Sequence, residues 1–360
     1  MMHTIDRSII KRLSVITLFV LVVLIFIFII LDFSNNSDDF TDKGAELYDV
    51  FTIYYLNYIP EMVRLVSPEA IFIACLILTG QMSERLEIAA LKAAGVSLYR
   101  LLLPFMIFSF VVAAGISYLD STIVPNSNEK RIAFGNKYLK HSNKSVDRND
   151  IYRQLSENDL MLVNYFDPNR NVAYQLNLYE FRNDSLKKLI TSSRMEWVDS
   201  LQHWSILKPQ IYKYHSYGIE TLNRDDIDTT LNLYPRDLAR RSSDIFQLTY
   251  EESKNYISSL ERSGAGGVNL PKVQYYGRLY YPISILVVTL IGFSIASVRR
   301  KGGKGFYVAA GLLISFFYLA FMKLAEPFGS SGVIDPNLAS LSPHLFFFLV
   351  ALILLISARK

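Results

Sequence analysis

Six stretches of the chain are apolar on every side, without the wet face that a surface helix or strand keeps. They lie at about residues 13–33, 48–80, 98–120, 277–298, 305–324 and 342–358. A helix of about 20 apolar residues crosses the hydrocarbon of a bilayer, so each stretch predicts a transmembrane helix. The first is the purest, with residues 15–31 interrupted only by Thr17. Basic residues precede it, as in a secretory signal, but it is too long for a signal core and no small-x-small site follows, so it reads as a retained helix. The second is too long for a perpendicular span, and its tyrosine-rich opening, 48–59, predicts a start at the interface.

Between about 121 and 274 the pattern changes to period two. Residues 159–166 and 173–181 predict strands around a turn at Asp167, Pro168 and Asn169, with further strands at 186–199, 203–215 and 217–222. Thr249 and Glu252 form a capping-box pair opening a helix that runs to about Arg262, and Gly264, Gly266 and Gly267 make a link back to the fourth apolar stretch. The chain therefore divides into helices at 1–120, a β-rich insertion at 121–274 and helices at 275–360. Leu160, Leu162, Tyr165, Leu176, Leu178, Ile190, Trp197, Trp204 and Ile206 are the candidate inward positions of the strands: sandwich core, or an apolar trough for acyl chains.

Composition agrees. The chain is 51% hydrophobic and only 19% charged, below the usual quarter for soluble domains. The net charge of +4 says little, but its distribution orients the helices. Arg7, Lys11, Arg12, Arg85, Lys92, Arg100, Arg299, Arg300, Lys301, Lys304, Arg359 and Lys360 fall on one side, and in the short loops opposite there is only Lys43. Positive residues stay on the cytoplasmic side, which puts both termini in the cytoplasm and the insertion outside. Cys75, the one cysteine, lies in an apolar run and excludes an internal disulfide.

No catalytic or phosphate-binding pattern is present: no Walker loop, GxSxG or HExxH. His3, His141, His203, His215 and His344 are not spaced as a metal pair on a helix. Neither a cofactor nor a nucleic-acid partner is indicated, and a lipid-acting enzyme lacks an acid, base or metal set. The informative segment is residues 81–97, QMSERLEIAALKAAGVS, between the second and third apolar stretches. Leu86, Ala89, Ala90 and Ala93 share one helix face, Ser83 is placed to cap the N-terminus, and Gly95 is placed to end the helix in a left-handed conformation. This short helix, about 83–95, either merely connects two spans or docks in a groove of a cytoplasmic partner, with Glu84 or Glu87 paired to a partner arginine.

The run at 83–97 resembles the signature of the lipopolysaccharide-export permeases LptF and LptG. The turn Arg299, Arg300, Lys301, Gly302, Gly303 and the Ser342, Pro343, His344 opening of the sixth helix also fit, although the family more often has Asn after the Pro. The resemblance implies an α-helical integral membrane protein of six transmembrane helices with an inserted all-β periplasmic jellyroll, nearer the LptG-like branch. It implies an inner-membrane permease subunit working with an LptB-like ABC ATPase dimer, a second, LptF-like permease, a single-span LptC-like protein and an LptA-like periplasmic bridge. It assigns Glu84, Arg85, Glu87, Leu91 and Gly95 to ATPase coupling. Charges within spans are costly and mark function. Arg64 and Lys323 are candidates for lipid A phosphates, unless they pair with Glu61 or Glu69 and with Glu326; Lys43, Lys130 and Arg131 are candidates at the outer rim. Some family members have a lysine where this chain has Asp32. A membrane-anchored sensor or mechanotransmission protein is the alternative, but it has no need of the short helix.

Overall fold

Apolar helices gain stability by burying against one another or by facing lipid, and both outcomes occur here. A computed structural model describes residues 2–139, 149–156, 158–167, 170–182, 185–199, 203–215, 218–229, 231, 233–235, 238, 242–262, 268–298 and 303–358. His141, Pro168, Asn169, Gly264, Gly266, Gly267, Arg299, Arg300, Lys301, Arg359 and Lys360 lie outside the described residues, as do the side chains of His3 and Lys304. The chain forms two units. The helical unit comprises Met1–Leu139, Phe246–Thr249 and Lys272–Lys360, and the β unit Lys140–Ile245 and Tyr250–Pro271.

In the helical unit, α1 is Met2–Asp42, α2 is Leu47–Glu84, the short α3 is Glu87–Ala93, and α4 is Leu98–Tyr138. The helical unit thus reaches Leu139 rather than the 120 read from sequence: α4 continues through Pro125 without a break. After the β unit come α6 (Asn269–Tyr280), α7 (Ile283–Ala296), α8 (Gly303–Ser330) and α9 (Pro336–Ala358). Among the described residues, five helices are long and apolar enough to cross a membrane, and α6 with α7, bent by 51° between them, counts as a sixth when the pair is taken as one span. The bend falls at Pro282, whose ring and missing N–H break a helix.

Helix α7 is buried from Ser284 to Ala296 except at the half-buried Leu286, and it is the axis of the core. Phe72, Cys75, Phe105, Ile291 and Phe293 pack in the same cluster. A methyl group at Gly292 would sit 3.1 Å from the Phe72 ring, so this glycine sets how closely α2 and α7 approach. Cys75 is fully buried, its thiol reaching the Thr289 carbonyl at 3.6 Å. In contrast, α1 turns Leu18, Phe19 and Phe26 outward, as a lipid-facing helix does. The tyrosine-rich start of α2 contains a π-helical stretch, Val50–Tyr55, which buries Val50, Tyr54 and Tyr55 against Phe40 and Phe134.

The β unit is an antiparallel sheet of β1 (Asn149–Gln154), β2 (Asp159–Asp167), β3 (Val172–Arg182), β4 (Ser185–Val198), β5 (His203–Leu207), β6 (Gln210–His215), β7 (Gly218–Asn223) and β8 (Ile227–Thr229). Neighbours run β1-β2-β3-β4-β5-β8, and β4 also pairs with β6, which pairs with β7. The strand read from sequence at 203–215 is two strands. Lys208 is left-handed (φ 43) and Pro209 follows, so the chain leaves the β4–β5 pairing and returns to another part of β4. The core contains Met161, Val163, Phe166, Leu176, Met195, Trp204 and Ile206. Leu176, Trp204 and Ile206 are as read, but in β2 the buried face carries Met161 and Val163 while Leu160 and Leu162 are half-buried. The run Leu160 to Val163 is apolar at both parities, so period two alone does not choose its phase. Helix α5 (Tyr250–Arg262) starts directly after Thr249 and buries Ser253, Tyr256, Ile257 and Leu260, one stripe at i, i+3, i+4 and i+7.

Trp204 donates from Nε1 to the Leu233 carbonyl at 2.7 Å and is fully buried. Trp204→Phe removes that donor and part of the ring. It is expected to destabilise this unit by about 1–2 kcal/mol, the cost of leaving a buried carbonyl unpaired. Both tryptophans lie in the β unit, so loss of the remaining Trp197 fluorescence on heating reports on this unit. An unchanged midpoint would deny the bond its role.

Candidate functional site

Charged groups gather at two places among the described residues of the helical unit. The first is α3. Arg85 N–H bonds Gln81 O at 3.0 Å and Leu86 N–H bonds Ser83 O at 3.2 Å, so Ser83 is the buried last turn of α2, not a cap of α3. Leu86 takes the cap position instead, with φ 58 and no side-chain bond. A leucine there costs about 1 kcal/mol of backbone strain, and this one leaves its side chain 49% exposed. At the other end Gly95 is left-handed (φ 86); its N–H bonds Lys92 O at 3.0 Å and Val96 N–H bonds Leu91 O at 2.9 Å. Those two bonds are a Schellman ending. Ile88 is buried with Ile9 and Leu13, and Leu91 packs on the same cluster. Ala89, Ala90, Ala93 and Ala94 face outward. Glu87 lies 3.7 Å from Arg12 of α1, Arg85 is exposed, and Glu84 is partly exposed. Nearby, Arg100 grips Asp6 with both terminal nitrogens, at 3.0 and 2.5 Å. The start of α1 is thus fastened at two points to the segment that carries α3.

The second place is a chain of buried charges among α2, α4 and α6. Arg278 of α6 donates from Nε to Asp120 Oδ2 at 3.3 Å, from Nη2 to the Asp120 carbonyl at 2.8 Å, and from Nη1 to the Leu248 carbonyl at 2.8 Å. Arg64 Nε lies 3.3 Å from Asp120 Oδ1 and its Nη2 3.9 Å from Glu61. Arg64 also stands over the rings of Tyr281 and Phe246. Arg131 donates to Glu61 at 2.9 Å and lies over Tyr58. Arg64, Asp120 and Arg278 are all under 5% exposed. Three arginines against Asp120 and Glu61 leave one positive charge in excess.

Beside this chain of charges the helices enclose a largely apolar cavity of about 700 Å³. Phe72, Leu76, Leu319 and Met322 are among its walls, and Glu69, Gln274, Tyr281 and His344 supply polar groups. The Tyr318 hydroxyl and His344 Nδ1 are 2.6 Å apart. Lys323 and Glu326 are at its edge, 3.4 Å from each other.

The sequence-read cations therefore separate. Arg64 and Arg131 are committed to carboxylates and rings. Lys323 is 84% exposed beyond its Glu326 pair, Lys130 is exposed, and Lys43 is half-buried in the turn after α1. Arg64 pairs with Asp120 and Glu61, not Glu69. Asp32 accepts from the Tyr55 hydroxyl at 3.0 Å. Sequence reasoning passed over Asp120 and Arg278, although both interrupt apolar or aromatic runs, the signal by which Arg64 was found.

The family described as lipopolysaccharide export system permease LptF/LptG matches residues 7–357, nearly the whole chain. No curated protein matches it.

Proposed function

The chain belongs to the LptF/LptG family of lipopolysaccharide export permeases, and from that premise we propose that it is one of two permease subunits in an ATP-driven exporter. It is a multi-pass inner-membrane transport subunit rather than an enzyme. In this reading α3 and both termini are cytoplasmic and the β unit is periplasmic, in line with the loop charges. A separate LptB-like ATPase dimer docks on α3 of this chain and on its counterpart in an LptF-like partner, this chain being the LptG-like half. Closure of the ATPase dimer drives lipopolysaccharide out of the outer leaflet toward the β unit, an LptC-like protein and an LptA-like bridge. Arg64 and Arg131 hold helices together, and Lys323, with Lys43 and Lys130, is left to meet lipid A phosphates.

The observation that carries this reading is the alanine face of α3. A globular helix end left in water has no need for four outward alanines bracketed by a strained leucine and a glycine cap. Small side chains let a partner's groove approach the backbone, and Glu87, still partly exposed beside Arg12, offers it a carboxylate.

Glu87→Lys is expected to cut the ATPase recovered with the tagged permease at least about tenfold, which corresponds to a lost charged contact and a new repulsion. Arg12→Ala separates this from the internal pair. An exposed pair contributes at most about 1 kcal/mol, so Arg12→Ala should keep the ATPase. Equal recovery from Glu87→Lys and the parent would remove Glu87 from the contact.

A further inference from the structure

The strands of the β unit shape a polar pocket of about 500 Å³. It lies where β2, β3 and β4 lose their alternation together. Side chains of a regular strand point to the two faces in turn. Here Val163, Leu176 and Ser192 make one buried row, and Phe166, Ala173 and Met195 make the next, three positions on instead of two. Asn164, Gln175 and Ser193 stand in the first row between them, where no register pair forms, and Gln175 is left-handed (φ 54). At Ser192 and Ser193, β4 lies between its pairing with β6, at Thr191, and its pairing with β5, at Arg194. Lys208, left-handed at φ 43, and Pro209 span that gap. Left-handed backbone is costly for residues other than glycine, and such residues gather at functional sites.

The polar groups around the pocket are largely uncommitted. Among the described residues, the side chains of Asn177, Thr191 and Ser193 make no hydrogen bond within the chain, and the Lys208 ammonium has no carboxylate. Asn164 Nδ2 donates to Gln175 Oε1 at 2.6 Å, and Gln210 Oε1 accepts from the Tyr212 hydroxyl at 3.0 Å, so both glutamines keep their N–H donors. The Ser192 hydroxyl is spent on the Leu207 carbonyl at 2.5 Å. Asp226 accepts the Lys208 backbone N–H at 3.0 Å but does not line the pocket.

We propose that this pocket binds one sugar unit that carries an anionic group. Amides and hydroxyls both donate and accept, as every hydroxyl of a sugar does. Asn177 and Thr191 are register partners on β3 and β4, so they meet neighbouring hydroxyls. Lys208 is the one charged residue among the described lining residues, and it selects a carboxylate or phosphate on the sugar. Leu176 is the one apolar residue among them, so an alkyl chain finds none of the walls it needs. The inference rests on the export reading only for which molecule brings the sugar to the β unit.

The test uses the purified full-length protein in detergent and three photoreactive probes: a methyl glucuronide, a methyl glucoside, and a cyclohexanecarboxylate that keeps the charge without the hydroxyls. Labelling is read by mass spectrometry on peptides of β3, β4 and the β5–β6 link. At equal concentration the glucuronide is expected to exceed the cyclohexanecarboxylate at least about threefold, the factor for one net hydrogen bond. It should exceed the glucoside about two- to fivefold, as for an exposed ion pair. Lys208→Asn, which accepts left-handed backbone, should bring the two sugars level. Asn177→Val with Thr191→Val should bring the glucuronide down to the cyclohexanecarboxylate, with an unchanged tryptophan midpoint showing that the β unit survives. Ser193→Ala, at an exposed position, should lower glucuronide labelling on its own. Lipopolysaccharide in the micelles should compete at a lower sugar concentration than free glucuronic acid if the sugar arrives on a lipid, and at a higher one if it arrives free. Glucuronide labelling no stronger than that of either other probe, or unchanged in both the double variant and Ser193→Ala, overturns the proposal. Neither result touches the export reading, which stands or falls on ATPase recovery.

Discussion

The Asp120→Ala protein is expected to be the least stable single variant of the helical unit, by on the order of 3–5 kcal/mol. Asp120 is 1% exposed and touches two arginines, Arg64 and Arg278, each of them under 5% exposed. Truncation takes the carboxylate from both. Arg278 keeps the Leu248 carbonyl and the backbone carbonyl of residue 120, and Arg64 keeps a distant Glu61 that Arg131 already holds. Two guanidinium groups would then stay buried with one carboxylate removed, the arrangement in which losing a partner costs more than the pair contributes. For a unit of this size that corresponds to a fall of roughly 6–20 °C in the thermal midpoint, measured on purified protein in detergent. Asp120→Asn keeps an acceptor oxygen and should fall between parent and Ala. A double change, Asp120→Leu with Arg278→Met, removes charge and partner together and should recover part of the loss, since coupled residues are not additive. A midpoint for Asp120→Ala within a degree or two of the parent would show that the charges do not hold α2, α4 and α6 together.

The second large effect is on assembly. Ala90 faces outward from the middle of α3. Ala90→Trp changes nothing inside the chain, and exposed substitutions stay within about 0.5 kcal/mol, so the midpoint should not move. A bulky ring on a face built for close approach should abolish capture of the ATPase, while Lys92→Ala on the same exposed turn should spare it. Pull-down with quantified ATPase checks both. Normal capture by Ala90→Trp would move the docking surface elsewhere.

Much of this was legible in the sequence because membrane spans write a strong signal. Long apolar runs and loop charges are read from composition alone, and all six runs correspond to helices, one of them bent. The β unit was legible in its strands and less so in its phase. At Leu160 to Val163 apolar residues occupy both faces, and at Lys208 a left-handed residue splits what looked like one strand. The helix at α3 was visible through its alanines and Gly95. Its beginning was misplaced, since Ser83 caps well in isolation but continues α2 once Met82 and Ser83 are buried. The charges inside the spans show the limit. A sequence says that Arg64 is expensive, but not that its partner is 56 residues away on α4, because that pairing is made by the packing of α2 on α4 and α6. Glu69 is the converse: sequence offered it a partner, and the fold gave it a cavity.

The deep placement of Cys75 has a practical side. Its thiol is fully buried beside Thr79 and the Thr289 carbonyl, within the helical core. No other cysteine exists in the chain. Any cysteine introduced on the surface is therefore the sole thiol that an aqueous maleimide can reach, with the native residue left in place. Spin labels or fluorophores on α3, or a crosslinker at Lys323, can be attached to the natural chain without the repacking that a cysteine-free background would require, so distances measured during turnover would belong to the native core.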